Sequence, residues 1–123
     1  MSFVQREHYR VPINAPVTIE LGGDAVLEAT CHDISMGGMG LLVQKEVEPR
    51  SCGMVRMHYE QADRKILFSA KFSVAWARPD KPDPSRKHVG IQFIEVDEDN
   101  KCNLAHILVK RLQELEGTST DSH

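Results

Sequence analysis

Long apolar runs are missing from this chain: nowhere do roughly 18 consecutive apolar residues occur, so no membrane-spanning helix is predicted. The opening Met-Ser-Phe-Val-Gln-Arg-Glu-His is charged where a secretory leader needs an apolar stretch, and the expected location is the cytoplasm. Cysteine is scarce and irregularly spaced. Cys31, Cys52 and Cys102 are odd in number, far apart and without a C-x-x-C pair, which speaks against a disulfide framework and a thiolate zinc site; reduced thiols are expected. The histidines, His8, His32, His58, His88, His106 and His123, lack H-E-x-x-H or any related metal spacing, and no cofactor is expected. Positive charge is not in excess either. The formal net charge of -3, the isoelectric point near 6.0 and an aromatic content of 6% oppose a basic, aromatic-lined groove for polymeric nucleic acid. Enzyme signatures are absent: Ser35 has no G-x-S-x-G elbow, and Gly37-Gly38-x-Gly40 has neither the lysine nor the following helix of a phosphate-binding P-loop. No internal repeat or low-complexity segment stands out.

What remains is the composition of one folded domain. The 123 residues are 41% hydrophobic and 27% charged, outside the range of disordered chains and sufficient to bury roughly two thirds of the unfolded surface in a single core. Residues 1–14 are polar, have no clean period and are read as a flexible N-terminal arm, in which Pro12 biases Val11 toward extended geometry. From Ala15 to Leu21, Val17, Ile19 and Leu21 alternate with Thr18 and Glu20. Gly22-Gly23-Asp24 then punctuates, and a second extended run follows to about His32, the pattern of a hairpin. Met39 to Val43 continues as an apolar strand, and Val55, Met57 and Tyr59 alternate with Arg56 and His58. After a charged turn from Glu60 to Arg64, Ile66 to Ala77 places Phe68, Ala70, Phe72, Val74 and Trp76 on one parity. Three prolines among charges over residues 78–87 predict an exposed loop, and Val89, Ile91 and Phe93 alternate with His88, Gly90 and Gln92 in a sixth strand. Beyond Val96 the period changes. Leu104, Ile107, Leu108, Leu112 and Leu115 lie at helical spacing behind Asp97-Glu98-Asp99, with Lys110 and Arg111 toward the far end and Gly117 after it, the charge and cap order of a helix. The predicted fold is mainly β: a small six-stranded antiparallel barrel over residues 15–117 whose C-terminal helix covers an open end, with 118–123 a disordered tail.

Chemistry concentrates in two places. The stretch Cys31-His32-Asp33-Ile34-Ser35-Met36-Gly37-Gly38-Met39-Gly40 breaks a strand-like run with three glycines, which can reach positive φ and admit a ligand close to the backbone. Asp33 and Ser35, two apart, project from one face if the strand persists that far, offering a carboxylate and a hydroxyl to a donor-rich edge such as that of guanine. Standing alone, the same residues read as a self-bonded turn. In the arm, Arg6 and Arg10 share a face under either an extended or a helical conformation, because a four-residue spacing suits both periods; they form a two-guanidinium clamp or an ordinary solvated pair.

Taken together, Arg6-x-x-x-Arg10 followed by Asp33-x-Ser35-x-x-Gly38 resembles the two-part signature of PilZ domains, bacterial receptors for the second messenger cyclic di-GMP. The Val74-Ala75-Trp76 run and the Gly90-x-x-Phe93 strand resemble later segments of that family, whose architecture is a six-stranded barrel with a C-terminal helix. The resemblance implies that Arg6 and Arg10 clamp phosphate and guanine, that Asp33 and Ser35 bond a guanine edge, and that Gly38 permits close approach. Arginine suits this task because a guanidinium forks onto phosphate oxygens, bonds guanine O6 or N7 and stacks on rings. Trp76 belongs either to the core or to the rim as a platform for a guanine. Gln5 stands where many members carry a further arginine, so one or two ligands per chain both remain open. The implied role is a receptor, not an enzyme, coupling the messenger to an unidentified downstream protein through ordering of the arm, with motility, pili, exopolysaccharide or virulence as outputs. The alternative on the same fold is a nucleotide-independent interaction adaptor.

Overall fold

Apolar residues at every second position can be buried together only if the strands turn one face toward a common interior, and here six strands do so by closing on themselves. The computed structural model describes residues 10–22, 25–61 and 64–120. Its elements are β1 (Val11–Leu21), β2 (Ala25–Ile34), β3 (Gly38–Val43), β4 (Cys52–Gln61), β5 (Arg64–Pro79), β6 (Lys87–Glu95) and α1 (Glu98–Thr120). The strands form a closed barrel in the order β1-β2-β3-β6-β5-β4, with β4 returning to β1 and every pairing antiparallel. The expected six-stranded barrel with one terminal helix is the fold observed.

The alternation read from the sequence is the inward face of this barrel. Val11, Ile13, Ala15, Val17 and Ile19 of β1 are buried, as are Ile66, Phe68, Ala70, Phe72 and Val74 of β5, while the residues between them face out or partly out. Each large side chain buried in this way contributes roughly 1.5–3 kcal/mol relative to exposure. Element ends differ from expectation. β1 begins at Val11, so the last four residues assigned to the arm belong to the barrel: Val11 and Ile13 carry the inward alternation back past Ala15. Pro12, which has no N–H to donate, is accommodated beside a register shift between Pro12 and Ala15. Glu60 and Arg64, expected in a turn, lie in strands, with Gln61 paired to Arg64.

The helix closes one end. Asp97 caps it, its Oδ1 accepting the Asn100 N–H at 2.8 Å, and its apolar stripe buries Leu104 and Ile107 fully, with Leu108, Leu112 and Leu115 against the same core. Polar bonds fix its seat: the Ser69 N–H donates to Asn100 Oδ1 (2.8 Å), Asn103 Nδ2 to the Leu67 carbonyl (2.8 Å), and Arg111 Nε to the Pro12 carbonyl (2.9 Å). The Tyr59 hydroxyl donates to Glu114 Oε1 at 2.6 Å. The helix runs on through Gly117 to Thr120, so Lys110 and Arg111 lie in its middle, the last turn carries no basic residue, and 118–120 are helical instead of a tail. One glycine costs a helix about 1 kcal/mol relative to alanine, which weakens it without ending it. Among the described residues, no helix is long and apolar enough to cross a membrane.

Candidate functional site

Ladder register decides which residues share the outer surface. Pro12 stands opposite Asp33, Asp33 opposite Gly40, Gly40 opposite Gly90, and Gly90 opposite Trp76, a single row across β1, β2, β3, β6 and β5. Directly opposed residues of antiparallel strands point to the same side. Their chain neighbours Val11, Ile34, Met39, Leu41, Val89 and Ile91 fill the core, so this row faces out.

Two irregularities bring the chemistry onto it. In β2 a register shift between Cys31 and Asp33 makes His32 an extra residue, so that His32 and Asp33 both turn outward between buried Cys31 and Ile34. In β5 a second shift lies between Val74 and Trp76 on the β6 side, while on the other side Val74 bonds the preceding connection, its N–H to the Ser51 carbonyl and its carbonyl to the Arg50 N–H, both at 2.8 Å. The parity therefore flips after Val74. Trp76, which shares the parity of the core residues in sequence, lies on the outside and is 40% exposed; of its two readings, the core one is excluded.

Arg10 sits at the entry to β1 and donates Nη2 to Asp33 Oδ1 at 2.7 Å, with side chains 35% and 30% exposed. Residues far apart in sequence thus meet, one from each half of the motif pair. An ion pair this accessible is worth about 0–1 kcal/mol, so either partner can be drawn to a better one at little cost. His32 Nδ1 lies 3.6 Å from the other carboxylate oxygen. Arg6 and Gln5 lie outside the described residues.

Ser35 and Gly38 occupy different ground from Asp33. The strand ends at Ile34, and Ser35 turns inward with 2% exposure. Its Oγ accepts the Gly37 and Gly38 N–H groups at 3.1 and 3.2 Å, and its own N–H donates to the Gly38 carbonyl at 2.9 Å. The hydroxyl builds the β2–β3 turn and does not share a face with the Asp33 carboxylate. A β-carbon on Gly38 would fall 2.2 Å from the Ile91 carbonyl oxygen, so this glycine is what lets β6 close on β3. Neither Gly38 nor Gly40 adopts a left-handed φ; both are required by lack of space.

Gly40, read among the three glycines that admit close approach, and Gly90, read only as part of the Gly90-x-x-Phe93 strand, each lie beneath an outward side chain. A β-carbon at Gly40 would meet Asp33 Oδ1 at 2.8 Å and His32 Cε1 at 2.7 Å; at Gly90 it would meet Trp76 Nε1 and Cε2 at 2.4 Å. The signal was available, because glycine on the outward parity of a strand marks a place where something lies close over the backbone. Beyond Trp76, the Arg78 guanidinium carbon lies 4.8 Å from the ring centroid, a cation over an aromatic face.

A polar chain borders the row. His32 meets His88 edge-on, with centroids 5.5 Å apart, and His88 Nε2 lies 2.8 Å from Asp80 Oδ1. Arg86 Nη2 donates to Asp80 Oδ2 at 2.8 Å, so both oxygens of this buried carboxylate are engaged. The His88 hydrogen bond, then Arg86, holds the Asp80 carboxyl below the usual carboxylate range. Burial, helped by the Asp33 charge, pushes the Cys31 thiol up to about 12 and leaves it inert at neutral pH. Among the described residues no group of histidine, cysteine, aspartate or glutamate side chains is arranged to hold a metal ion.

Barrel and terminal helix define a closed six-stranded antiparallel β-barrel domain that carries an arginine–carboxylate pair at the mouth of β1. The PilZ domain profile matches residues 4–110, and the chain belongs to that family. Comparison with curated proteins returns no match. Among solved structures, the PilZ domain with c-di-GMP of YcgR from Escherichia coli superposes with a TM-score of 0.77 at 15% identity, covering 94% of this chain and 98% of that one. YcgR from Escherichia coli in complex with c-di-GMP gives 0.79 at 16%, covering 97% and 51%. The Bacillus subtilis inhibitor of motility, MotI/DgrA, gives 0.74 at 12%, covering 89% and 52%. The chain spans about half the length of the latter two, and at these identities the likeness is one of fold.

Proposed function

We propose that this domain is a receptor for cyclic di-GMP that takes the nucleotide on the outer face between Arg10, Asp33 and Trp76. The observation that carries this is the Arg10–Asp33 pair at 2.7 Å, set in register with an exposed indole across two glycines. In this reading the Asp33 carboxylate exchanges Arg10 for the donor edge of a guanine, Arg10 moves with Arg6 onto phosphate or a guanine acceptor, and Trp76 gives a base an aromatic face. Ser35 and Gly38 act indirectly, by holding the turn and the β3–β6 joint that present Asp33. Family membership and the two c-di-GMP-bound YcgR structures support the choice of ligand. The output runs through the segment carrying Arg6, which the ligand orders into a surface for a downstream protein in the bacterial cytoplasm; ordering costs conformational entropy that the new arginine contacts must exceed.

The rival reading is the nucleotide-independent adaptor on the same fold, in which the Arg10–Asp33 pair is an ordinary surface bridge. Calorimetric titration with cyclic di-GMP, beside GMP and cyclic di-AMP, separates the two. Selective binding that weakens about 10- to 150-fold in Arg10→Ala, the loss of one charge-assisted contact, supports the receptor. Absence of binding heat, with unchanged amide spectra, refutes it and leaves the adaptor. Amide exchange before Arg10 that ignores saturating nucleotide sinks the ordering mechanism alone.

A further inference from the structure

Gly90 lies in the middle of β6, between core residues Val89 and Ile91, and its φ is outside the left-handed region, so its backbone makes no demand for glycine. The demand is spatial. The Trp76 indole occupies the volume of the missing β-carbon, with Nε1 and Cε2 2.4 Å and Cζ2 2.7 Å from where that carbon would sit. Across the next strand Gly40 likewise admits the Asp33 carboxylate, whose Oδ1 would be 2.8 Å from a β-carbon there. Two side chains from strands on either side of these glycines thus lean toward each other over bare backbone. Neighbouring strands are about 4.8 Å apart, so an acceptor resting over Gly40 and an aromatic ring resting over Gly90 are separated by about one strand spacing. A purine stacked on the indole then has its donor edge within reach of Asp33. The Arg78 guanidinium carbon lies 4.8 Å from the ring centroid, so the indole already holds a planar cation against its ring.

We infer that Gly90 is a specificity-determining positioning residue: by omitting a β-carbon it lays the Trp76 indole toward Asp33, so that one planar base meets ring and carboxylate together. This rests on the nucleotide reading above. Its scope is narrower, since it assigns a role in recognition to a residue that touches no ligand and acts through Trp76. Any β-carbon at position 90 lifts the indole and uncouples stacking from edge recognition. Because the clash is with the ring of an exposed side chain and not with backbone, Gly90→Ala relieves it by moving Trp76 and keeps the barrel.

The test is a double-mutant cycle with cyclic di-GMP on the wild type, Gly90→Ala, Trp76→Ala and the double variant, read by calorimetry. Trp76 is the sole tryptophan, so its emission maximum and acrylamide quenching report the indole without any ligand. Base–aromatic stacking sets the expected loss for Gly90→Ala at about 5- to 150-fold. In the Trp76→Ala background the same substitution changes affinity by less than about twofold. Gly90→Ala also shifts the emission of the free protein. Equal losses in both backgrounds overturn the inference, as does unaltered affinity with unaltered emission. If the wild type binds and Gly90→Ala binds as well, the receptor stands and Gly90 has no such role. If the wild type binds no cyclic di-GMP, the receptor reading fails, and the role of Gly90 in recognition fails with it.

Discussion

Gly38→Ala separates a ligand role from a scaffold role for the last residue of the Asp-x-Ser-x-x-Gly element. A β-carbon there would lie 2.2 Å from the Ile91 carbonyl oxygen, 3.2 Å from its carbon and 3.4 Å from the Gln92 Cα. All three atoms are β6 backbone, so no rotamer change relieves the contact and the two strands must part by about 1 Å to restore van der Waals separation. That opening strains the bond from the Phe93 N–H to the Gly37 carbonyl, now 2.9 Å, which joins the same two segments. Overpacking costs about 1–3 kcal/mol and weakening one backbone hydrogen bond about 1 kcal/mol more, together about 2–4 kcal/mol. At about 2.1 cal/mol/K per residue, the 123 residues lose about 0.26 kcal/mol per degree, so the melting midpoint falls by about 8–15 °C. The assay is thermal and urea unfolding followed by circular dichroism in the absence of nucleotide. Gly22→Ala, whose β-carbon would meet no atom within 4 Å, serves as the neutral control. A Gly38→Ala protein that melts within about 2 °C of wild type refutes the scaffold role, and any loss of nucleotide binding in it would then reflect contact with the ligand.

Further outcomes follow from the same contacts. The depressed Asp80 pKa means that the unfolded chain takes up the proton first on acidification, so this carboxylate's contribution is present above the ordinary aspartate value and is lost as pH falls through the folded value. Urea midpoints of wild type therefore drop on acidification below about pH 4, and Asp80→Asn flattens that part of the profile; identical slopes contradict the assignment. With the Cys31 pKa pushed up to about 12 and its thiol buried, Ellman's reagent titrates Cys52 and Cys102 in the native protein and Cys31 only after unfolding. A native Cys52→Ser/Cys102→Ser protein that reacts at once would show the site to be open. Ile107→Ala, at a position with no solvent exposure, removes the helix's deepest anchor and lowers unfolding free energy by about 2–5 kcal/mol; a change under about 0.5 kcal/mol would mean that the helix does not seal the barrel.

Much of the barrel is legible because alternation is a local property: Val17 and Ile19, Val55 and Met57, and Phe68 to Val74 can point inward under one arrangement only. The places where legibility ends are those where a non-local pairing inserts or drops a residue. Trp76 obeys the core parity in sequence and violates it in the barrel, because Val74 bonds Arg50 and Ser51 on one side while the β6 ladder slips on the other. No window around Trp76 contains residues 50 and 51, so no local period reveals the flip. His32 is outward for the same kind of reason, the extra residue in β2 opposite β3. The C-terminal end of the helix is illegible for a different reason: Gly117 is a weak stop signal, and its cost of about 1 kcal/mol is small enough for the helix to run on.

Asp33-x-Ser35-x-x-Gly38 is met in sequence as one motif, yet in the barrel it divides by task. Asp33 faces out and holds Arg10, whereas Ser35 is sealed into the turn by two backbone N–H groups and Gly38 is pressed against the β6 carbonyl. Ser35 and Gly38 are needed by any chain that makes this turn and closes this barrel, whatever it binds, so their presence says little about a ligand. Arg10 and Asp33 have no such obligation. A half-exposed Arg10–Asp33 bridge adds at most about 1 kcal/mol to stability, and neither side chain packs in the core. A nucleotide-independent adaptor would have no stability reason to keep them. The case for the receptor therefore rests on Arg10 and Asp33 far more than on the rest of the signature, and substitutions should divide the same way. Changes at Arg10 or Asp33 should leave the melting midpoint within about 4 °C of wild type while abolishing or weakening nucleotide binding. Changes at Ser35 or Gly38 should lower stability whether or not nucleotide is present. An Asp33→Ala protein that binds cyclic di-GMP as wild type does would remove the main ground for the receptor.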